Sequence, residues 1–251
     1  MKYMGSKNRI AKHLVPIMVA EADSKGITNF YDICCGGCNL IDKVPSNFNR
    51  YANDKNEYLI EMWKALRHGF IPKDCYTKDE YNFIKSNKDN CKYLTGYVGF
   101  NCSYSGKWFG GYAGKVETKG GLRDYQIEAK NNVLKQVDNI KDVQFTCLDY
   151  QNIHILPKSI IYADIPYKNT TSYKDSFDHE VFYYWCIEQH IKGNIVFISE
   201  YEMPEQIEYN GKTYKFECIW RQEVKSSLSA NGEHGGSKTS VEKLFKVVEC
   251  E

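Results

Sequence analysis

The hydrophobic and polar positions of the chain follow two periods, one typical of strands and one typical of helices. Short apolar runs bounded by turn residues predict buried strands at 29–35, 50–52, 143–150, 159–162 and 194–199. Apolar residues at helical spacing predict helices between them, and two later alternating segments, 214–220 and 241–248, predict an antiparallel pair. Strands that alternate with helices indicate an α/β fold with a mostly parallel sheet and helices on both faces.

Ligand-type residues follow the first two predicted strands. Asp32 is followed by a glycine turn, Gly36-Gly37, and Asp54 follows the second strand. Glycines let the backbone approach a ligand closely, because a Cβ there would clash. An acidic residue about twenty positions after a glycine turn is placed to accept ribose hydroxyls. The alternative is that Asp54 caps the helix that follows.

The segment Asp164-Ile165-Pro166-Tyr167 comes directly after an apolar run. Pro166 has no N–H for a central strand, so the chain leaves the sheet there. Ligands of open α/β sheets bind beyond the carboxyl ends of the strands. A carboxylate, a backbone carbonyl and an aromatic ring could therefore grip a flat ring that carries an amino group. The alternative is that this strand ends in these residues by chance.

Composition and charge narrow the class of protein. The 251 residues allow one large domain or a core with an insertion. The formal net charge is only +1, so no global basic field indicates nucleic acid. Ten cysteines without a signal peptide favour reduced thiols in a cytoplasmic protein. No apolar run is long enough to span a membrane, so we expect no membrane partner.

Glycine, lysine and aromatic residues interleave between about 70 and 140, where strand signals fade. From 101 to 135 there are six Lys or Arg and three Asp or Glu. A basic loop with exposed rings is what contact to phosphates and bases requires. The alternative is a solvated loop with aromatic side chains tucked under it.

Several motifs, in this order, resemble the DNA adenine methylase (Dam-like, D12 class) family of S-adenosylmethionine-dependent methyltransferases. Residues 2–7 match its Lys-aromatic-x-Gly-Gly-Lys, and residues 32–39 resemble its acidic-Pro-Phe-x-Gly-x-Gly cofactor loop. Asp54-Lys55-Asn56 is similar to its Asp-x-Asn, and residues 164–167 to its Asp-Pro-Pro-Tyr. Tyr104-Ser105-Gly106 resembles its Tyr-Asn-Gly DNA-contact turn, and residues 226–244 its C-terminal hairpin. The resemblance covers nearly the whole chain.

The resemblance implies a Rossmann-like methyltransferase sheet, mostly parallel with an antiparallel C-terminal hairpin. The catalytic domain would comprise residues 1–60 and 140–251, with an inserted, mostly helical DNA-recognition region at 61–139. It implies binding of S-adenosylmethionine by Tyr3, Lys7, Asp32, Gly36, Asn39, Asp54, Asp149 and Tyr150. Its catalytic residues would be Asp164, Ile165, Pro166 and Tyr167. Contacts to double-stranded DNA would come from Lys2, Tyr104, Ser105, Lys107, Trp108, Phe109, Tyr112, Lys115 and Arg123.

The implied reaction is methylation of the N6 amine of adenine, with the target base flipped out of the duplex. Relatives that methylate GATC carry an arginine three residues beyond the glycine of the Tyr-Asn-Gly turn, where this chain has Phe109. We therefore expect a different target sequence. We also expect a monomer or weak dimer and no metal, since Cys34, Cys35 and Cys38 fit small buried residues better than a metal cluster.

The chain departs from the family pattern at three places, and alternatives stay open. Ile33-Cys34 stands where Pro-Phe is common, Cys38 where the second loop glycine is common, and Ile165 where the first proline is common. A catalytically silent, nucleic-acid-binding relative is one alternative, and a cytosine-N4 or RNA methyltransferase is another. Cytosine-C5 chemistry is set aside because the chain has no Pro-Cys pair. His179 is interpreted as a polar loop or cap residue.

Overall fold

The structure, a computed structural model, describes residues 1–118, 120–167, 177–225 and 239–250. It is a mixed α/β fold with a mostly parallel central sheet and an antiparallel hairpin, which confirms the predicted class. The helices are α1 Ala11–Ser24, α2 Glu57–Arg67, α3 Lys78–Ser86, α4 Lys92–Asn101, α5 Tyr125–Val137 and α6 His179–Ile191. The strands are β1 Asn29–Asp32, β2 Asn49–Asn53, β3 Lys115–Thr118, β4 Gly121–Asp124, β5 Gln144–Thr146, β6 Ser159–Asp164, β7 Ile195–Glu200, β8 Ile207–Tyr209, β9 Lys212–Lys225 and β10 Thr239–Glu249.

The first of two compact units comprises Met1–Pro16 and Asp32–His154. In it β2 and β5 pair in parallel, and α2 and α4 pack closely on each other. Gly96 on α4 makes this approach possible, because an added Cβ would lie 2.0 Å from the Tyr58 carbonyl oxygen on α2. The side chain of Trp63 on α2 is fully buried in the core of this unit.

The second unit comprises Ile17–Tyr31 and Ile155–Glu251. Its strands are hydrogen-bonded in the order β1-β6-β7-β10-β9-β8. Strands β6 and β7 are parallel and almost wholly buried, as expected for strands covered on both faces. Strand β10 pairs antiparallel with both β7 and β9, and this pair of β9 and β10 is the predicted hairpin.

The sequence analysis missed the hairpin of β3 and β4. Every residue of both strands is exposed except Asp124, so neither strand has the alternating apolar face that predicts a strand. Three helices, α3, α4 and α5, also lie between residues 61 and 139, and the inserted region as a separate domain stays a prediction. The predicted resemblance at 226–238 lies outside the described residues. Among those residues, no helix combines the length and apolar character needed to cross a membrane.

A single buried amide joins three strand ends in the first unit. Asn53, the last residue of β2, donates through Nδ2 to the carbonyl oxygens of Ile33 (3.1 Å) and Leu148 (2.9 Å). Its Oδ1 accepts from the Leu148 N–H (3.0 Å) and the Thr146 hydroxyl (2.8 Å). Buried polar groups stabilise a fold only when they are satisfied, and this side chain satisfies three main-chain groups at once.

We expect Asn53→Ala to lower the free energy of unfolding by about 3 kcal/mol or more, because one buried and two partly buried main-chain groups lose their partner together. Urea unfolding followed by circular dichroism measures the change. Asn132→Ala, on the exposed face of α5, is the matched control and should stay within about 0.5 kcal/mol of the parent. A loss below about 1 kcal/mol for Asn53→Ala would contradict this role.

Candidate active site

The glycine loop at 36–37 packs against the side chain of Tyr3. A Cβ added to Gly36 would lie 2.7 Å from the Tyr3 ring, and one added to Gly37 would lie 2.8 Å from the Tyr3 Cβ. Gly36 also has a φ of +47°, which disfavours residues with a side chain. Both glycines are therefore required by the close approach of Tyr3, a reason that the sequence analysis did not anticipate.

Hydrogen bonds from three elements hold the loop. The Gly36 N–H donates to Asp54 Oδ2 (2.9 Å), and the Gly36 carbonyl accepts from the indole N–H of Trp63 (3.1 Å). The Gln136 amide on α5 donates to the carbonyl of Gly37 (2.9 Å). The loop is thus positioned by buried side chains before any ligand binds.

Asp54 does not itself cap α2, as the alternative interpretation had it, because the residue at that position is Asn56. Besides Gly36, its carboxylate accepts from the Asn56 N–H at 2.9 Å, and Asn56 is the residue that caps α2 through Leu59 N–H. Burial raises the pKa of Asp54, and the two backbone donors oppose that rise. Each carboxylate oxygen can accept more than one hydrogen bond, so the predicted ribose contact stays a prediction.

Buried polar residues surround the same strand ends. Asp32 at the end of β1 is 2% exposed, and Lys7 is 7% exposed with its ammonium donating to the Gly5 carbonyl (3.3 Å). Asn39 is also buried, and its amide exchanges hydrogen bonds with the main chain of Met1, both at 3.2 Å. Asn39 therefore anchors the N-terminal segment, and its predicted cofactor contact stays a prediction.

Asp149 and Tyr150 follow β5. The Asp149 carboxylate accepts from the Gln151 N–H (3.2 Å), which caps the short 3-10 helix Tyr150–Asn152. It also pairs with the exposed ammonium of Lys55 at 3.2 Å. Tyr150 is half-buried at the start of that helix. The predicted strand over 143–150 is too long, because β5 ends at Thr146 and both residues lie in the turn and short helix that follow it.

The turn Tyr104–Gly106 presents an exposed ring. Tyr104 is 66% exposed, and Ser105 and Gly106 have φ values of +55° and +67°. A Cβ on Gly106 would lie 2.5 Å from the carbonyl oxygen of Lys2, so the turn rests directly on the N-terminal segment. The Tyr104 N–H donates a hydrogen bond to the Gly111 carbonyl at 2.8 Å. This backbone holds the Tyr104 side chain out to solvent.

The other three predicted DNA-contacting aromatic residues lie under or beside this turn. Trp108 is half-buried against Phe100, with ring centroids 4.7 Å apart. Phe109 is only 7% exposed and packs on Tyr81. The Tyr112 hydroxyl donates to a main-chain carbonyl, that of Tyr76, at 2.8 Å. Their positions favour the alternative of aromatic side chains tucked beneath a loop, and Tyr104 is the exposed one of the four.

Most of the cationic side chains that were predicted to bind DNA form ion pairs with carboxylates of this chain. Arg123 forms two hydrogen bonds with Glu128 (2.6 and 2.9 Å), and Lys2 approaches the same carboxylate at 3.2 Å. Arg123 and Lys2 together lower the pKa of Glu128 to about 2, so the pairing persists at neutral pH. Lys115 pairs with Asp124 at 3.7 Å. Lys107 is exposed and forms no ion pair within the part of the chain that the structure describes.

The segment 164–167 belongs to the second unit. Asp164 ends β6 half-buried, and Ile165 is 3% exposed. The Tyr167 hydroxyl donates to Glu242 on β10 (2.9 Å), and burial raises the pKa of this phenol well above its usual range. His179, at the start of α6, contacts the Pro166 carbonyl through Nε2 at 3.0 Å. The sequence analysis missed Glu242 and assigned His179 no part in the site.

In the described parts of the chain, no group of three or more His, Cys, Asp or Glu side chains is arranged to hold a metal ion. Cys35 and Cys38 are buried, and burial raises the pKa of both thiols. A thiol that holds its proton is a poor metal ligand, since the thiolate is the ligating form.

Ligands of open α/β sheets bind at the carboxyl ends of the strands, which is where these polar residues lie. A family model described as D12 class N6 adenine-specific DNA methyltransferase matches residues 3–197. The match spans well over half of the chain, and the protein belongs to this family. A comparison with curated proteins finds no match. The family resemblance inferred from the motifs is thereby confirmed.

Glu128→Gln should tighten binding to duplex DNA several-fold, because it removes a negative charge and releases Arg123 and Lys2 for phosphates. The plot of log affinity against log salt should steepen by about 1 to 2. Fluorescence anisotropy over a salt series measures both quantities. Glu61→Gln removes a carboxylate paired with Lys64 on α2 and serves as the matched control. If the affinity and the salt slope of Glu128→Gln do not change, Arg123 and Lys2 do not contact DNA.

Proposed function

We propose that this protein is an S-adenosylmethionine-dependent DNA methyltransferase that modifies the N6 amine of adenine in double-stranded DNA. The observation that carries the proposal is the family match, which includes the N-terminal motif, the glycine loop and the segment 164–167. Two further observations support it. In the first unit, Asp54 after β2 hydrogen-bonds to the glycine loop, and in the second unit, a hydrogen bond to Glu242 holds Tyr167 of the segment 164–167.

The residues of the first unit suit the chemistry of S-adenosylmethionine. Its amino-acid end is a zwitterion, and the unit offers a buried acid, Asp32, and a buried base, Lys7. Its ribose needs hydroxyl acceptors, which the Asp54 carboxylate can provide beside the glycine loop. When bound, S-adenosylmethionine supplies the sulfonium methyl group that the adenine amine attacks in line.

The residues of the second unit suit the target amine. The lone pair of this amine is delocalised into the adenine ring, which makes the amine a poor nucleophile. Acceptors on both of its protons would favour tetrahedral geometry at the nitrogen, and we assign these acceptors to the Asp164 carboxylate and the Ile165 carbonyl. The Pro166 carbonyl already meets His179, which favours Ile165 for this role. Tyr167 would stack on the base, and catalysis would come from positioning and electrostatics.

The target base must leave the duplex to reach such acceptors. Tyr104 is the residue we propose to fill or wedge the gap, because it is an exposed aromatic side chain on a turn held by backbone hydrogen bonds. An ordered wedge costs less entropy on binding than a flexible one. Trp108, Phe109 and Tyr112 would support this turn from below rather than read bases.

We expect Asp164→Ala to reduce methyl transfer by at least about 100-fold, because the amine loses a preorganised acceptor. Radiolabelled S-adenosylmethionine with duplex DNA measures the rate, and nucleoside analysis separates N6-methyladenine from N4-methylcytosine. RNA in a parallel reaction tests the RNA alternative. Calorimetry with a chelator present should show cofactor affinity close to that of the parent. An inactive parent that binds DNA would favour the catalytically silent relative, and activity of Asp164→Ala within a few-fold of the parent would remove this assignment.

We predict a target sequence other than GATC. The position three residues beyond Gly106 is Phe109, which has no donor for a guanine edge and is buried under the turn. Lys107 is exposed nearby but lacks the planar fork of arginine. Expression in a host without DNA methylation, followed by long-read sequencing, maps the modified adenines. Modification at GATC sites would show that another cation, such as Arg123 or Lys115, reads the guanine.

A further inference from the structure

Strand β10 reaches beyond the carboxyl ends of the two buried strands beside it. Asp164 on β6 is level with Ser199 on β7, and Ser199 is level with Leu244 on β10. Lys243 is level with Glu200, the last residue of β7. Because β10 runs antiparallel to β7, the residues before Lys243 lie past the ends of both parallel strands. Glu242 is two residues before Leu244 and so lies on the same face of β10. The antiparallel strand β10 thereby places the Glu242 carboxylate beside the residues that follow β6.

Glu242 holds the ring of Tyr167 by its hydroxyl. The phenol donates to Glu242 Oε2 at 2.9 Å, and the ring of Tyr201 packs edge-on at a centroid distance of 4.4 Å. The raised pKa of Tyr167 keeps the phenol protonated, so it remains a donor at neutral pH. One strong hydrogen bond and one ring contact restrict where the Tyr167 ring can lie.

His179 holds the backbone between Ile165 and Tyr167. The Pro166 carbonyl can only accept, so His179 Nε2 must carry the proton and donate across 3.0 Å. The imidazole is itself packed on Phe177, with ring centroids 5.0 Å apart. This bond fixes the peptide between Pro166 and Tyr167, which directly follows the peptide that carries the Ile165 carbonyl. Ile165 itself lacks the ring constraint that proline places on φ.

We propose that Glu242 and His179 are positioning residues that hold the segment 164–167 in the conformation that receives the target amine. Glu242 orients the stacking ring, and His179 restrains the peptide next to the one that carries the Ile165 carbonyl. Together they supply rigidity that a proline at 165 would otherwise provide. This inference rests on the proposed function, in which Asp164, Ile165 and Tyr167 contact the base.

The first experiment measures kcat and KM for variants that remove or keep each contact. Glu242→Leu and His179→Leu should each lower kcat by about 10- to 100-fold, as expected for loss of a hydrogen bond that matters in the transition state. The KM for S-adenosylmethionine should not change. Glu242→Gln keeps an acceptor and His179→Gln keeps an N–H donor, so both should retain most of the activity. Glu223→Leu removes an exposed carboxylate from β9 and is the control for the loss of one negative charge.

The second experiment tests the backbone role of His179 by rescue. Ile165→Pro is made in the parent and in each leucine variant, and each double variant is compared with the parent that carries the same proline. The same substitution should restore much of the kcat lost in His179→Leu, because it fixes φ at 165 directly. Ile165→Pro should not rescue Glu242→Leu, whose defect lies in the ring of Tyr167. Equal rescue of both variants, or of neither, would overturn the division of roles.

The third experiment reports on Tyr167 without requiring activity. Fluorotyrosine is incorporated into the full chain, and the fluorine resonance of residue 167 is identified by its loss in Tyr167→Phe. Glu242→Leu should move this resonance towards the solvent-exposed position, whereas Glu242→Gln and Glu223→Leu should leave it in place. An inactive parent with these shifts would refute the proposed function alone. If the parent is active and neither Glu242→Leu nor His179→Leu changes kcat or the fluorine resonance of residue 167, the positioning roles are refuted.

Discussion

The first unit depends on a buried amide that joins strand ends. Asn53 hydrogen-bonds to the main chain of Ile33 and Leu148, and it is itself the last residue of β2. Each of these three residues is directly followed or preceded by an acid of the predicted cofactor site: Asp32, Asp54 and Asp149. The Asn53 side chain, which fixes the distances between these strand ends, therefore also fixes the backbone positions of the three acids. Since all of its hydrogen-bonding capacity is used within the fold, its role is structural.

The N-terminal segment is the second organising element of that unit. Tyr3 lies against the glycine loop, and the backbone of Lys2 lies against Gly106 in the turn that exposes Tyr104. A glycine is needed at each contact because a Cβ would overlap the segment. The predicted cofactor loop and the predicted DNA-contact turn are thus packed on neighbouring residues of one short stretch. A change in that stretch would reach both loops through direct contact, since packed groups transmit displacement.

In the second unit, two of the residues assigned to the base, Ile165 and Tyr167, lie beyond the last strand-paired residue of β6, Asp164. Residues 165–167 follow β6, so their geometry has to come from side chains. The hydrogen bonds from Tyr167 to Glu242 and from His179 to the Pro166 carbonyl provide it. This arrangement explains how a chain with isoleucine at 165 can keep an ordered segment there. Preorganisation of this kind avoids reorganisation when the substrate binds.

The sequence by itself determined the class of fold and the acids Asp32, Asp54 and Asp164 at or directly after strand ends, because periodicity and turn residues are local signals. Only the tertiary structure decided which side chains face solvent. Tyr104 and Phe109 look alike in the sequence, yet one is exposed and the other is buried on Tyr81. Glu242 could not be assigned either, because it lies 75 residues from Tyr167 and meets it only through the register of β10. Such contacts join distant parts of the chain, and no local pattern encodes them.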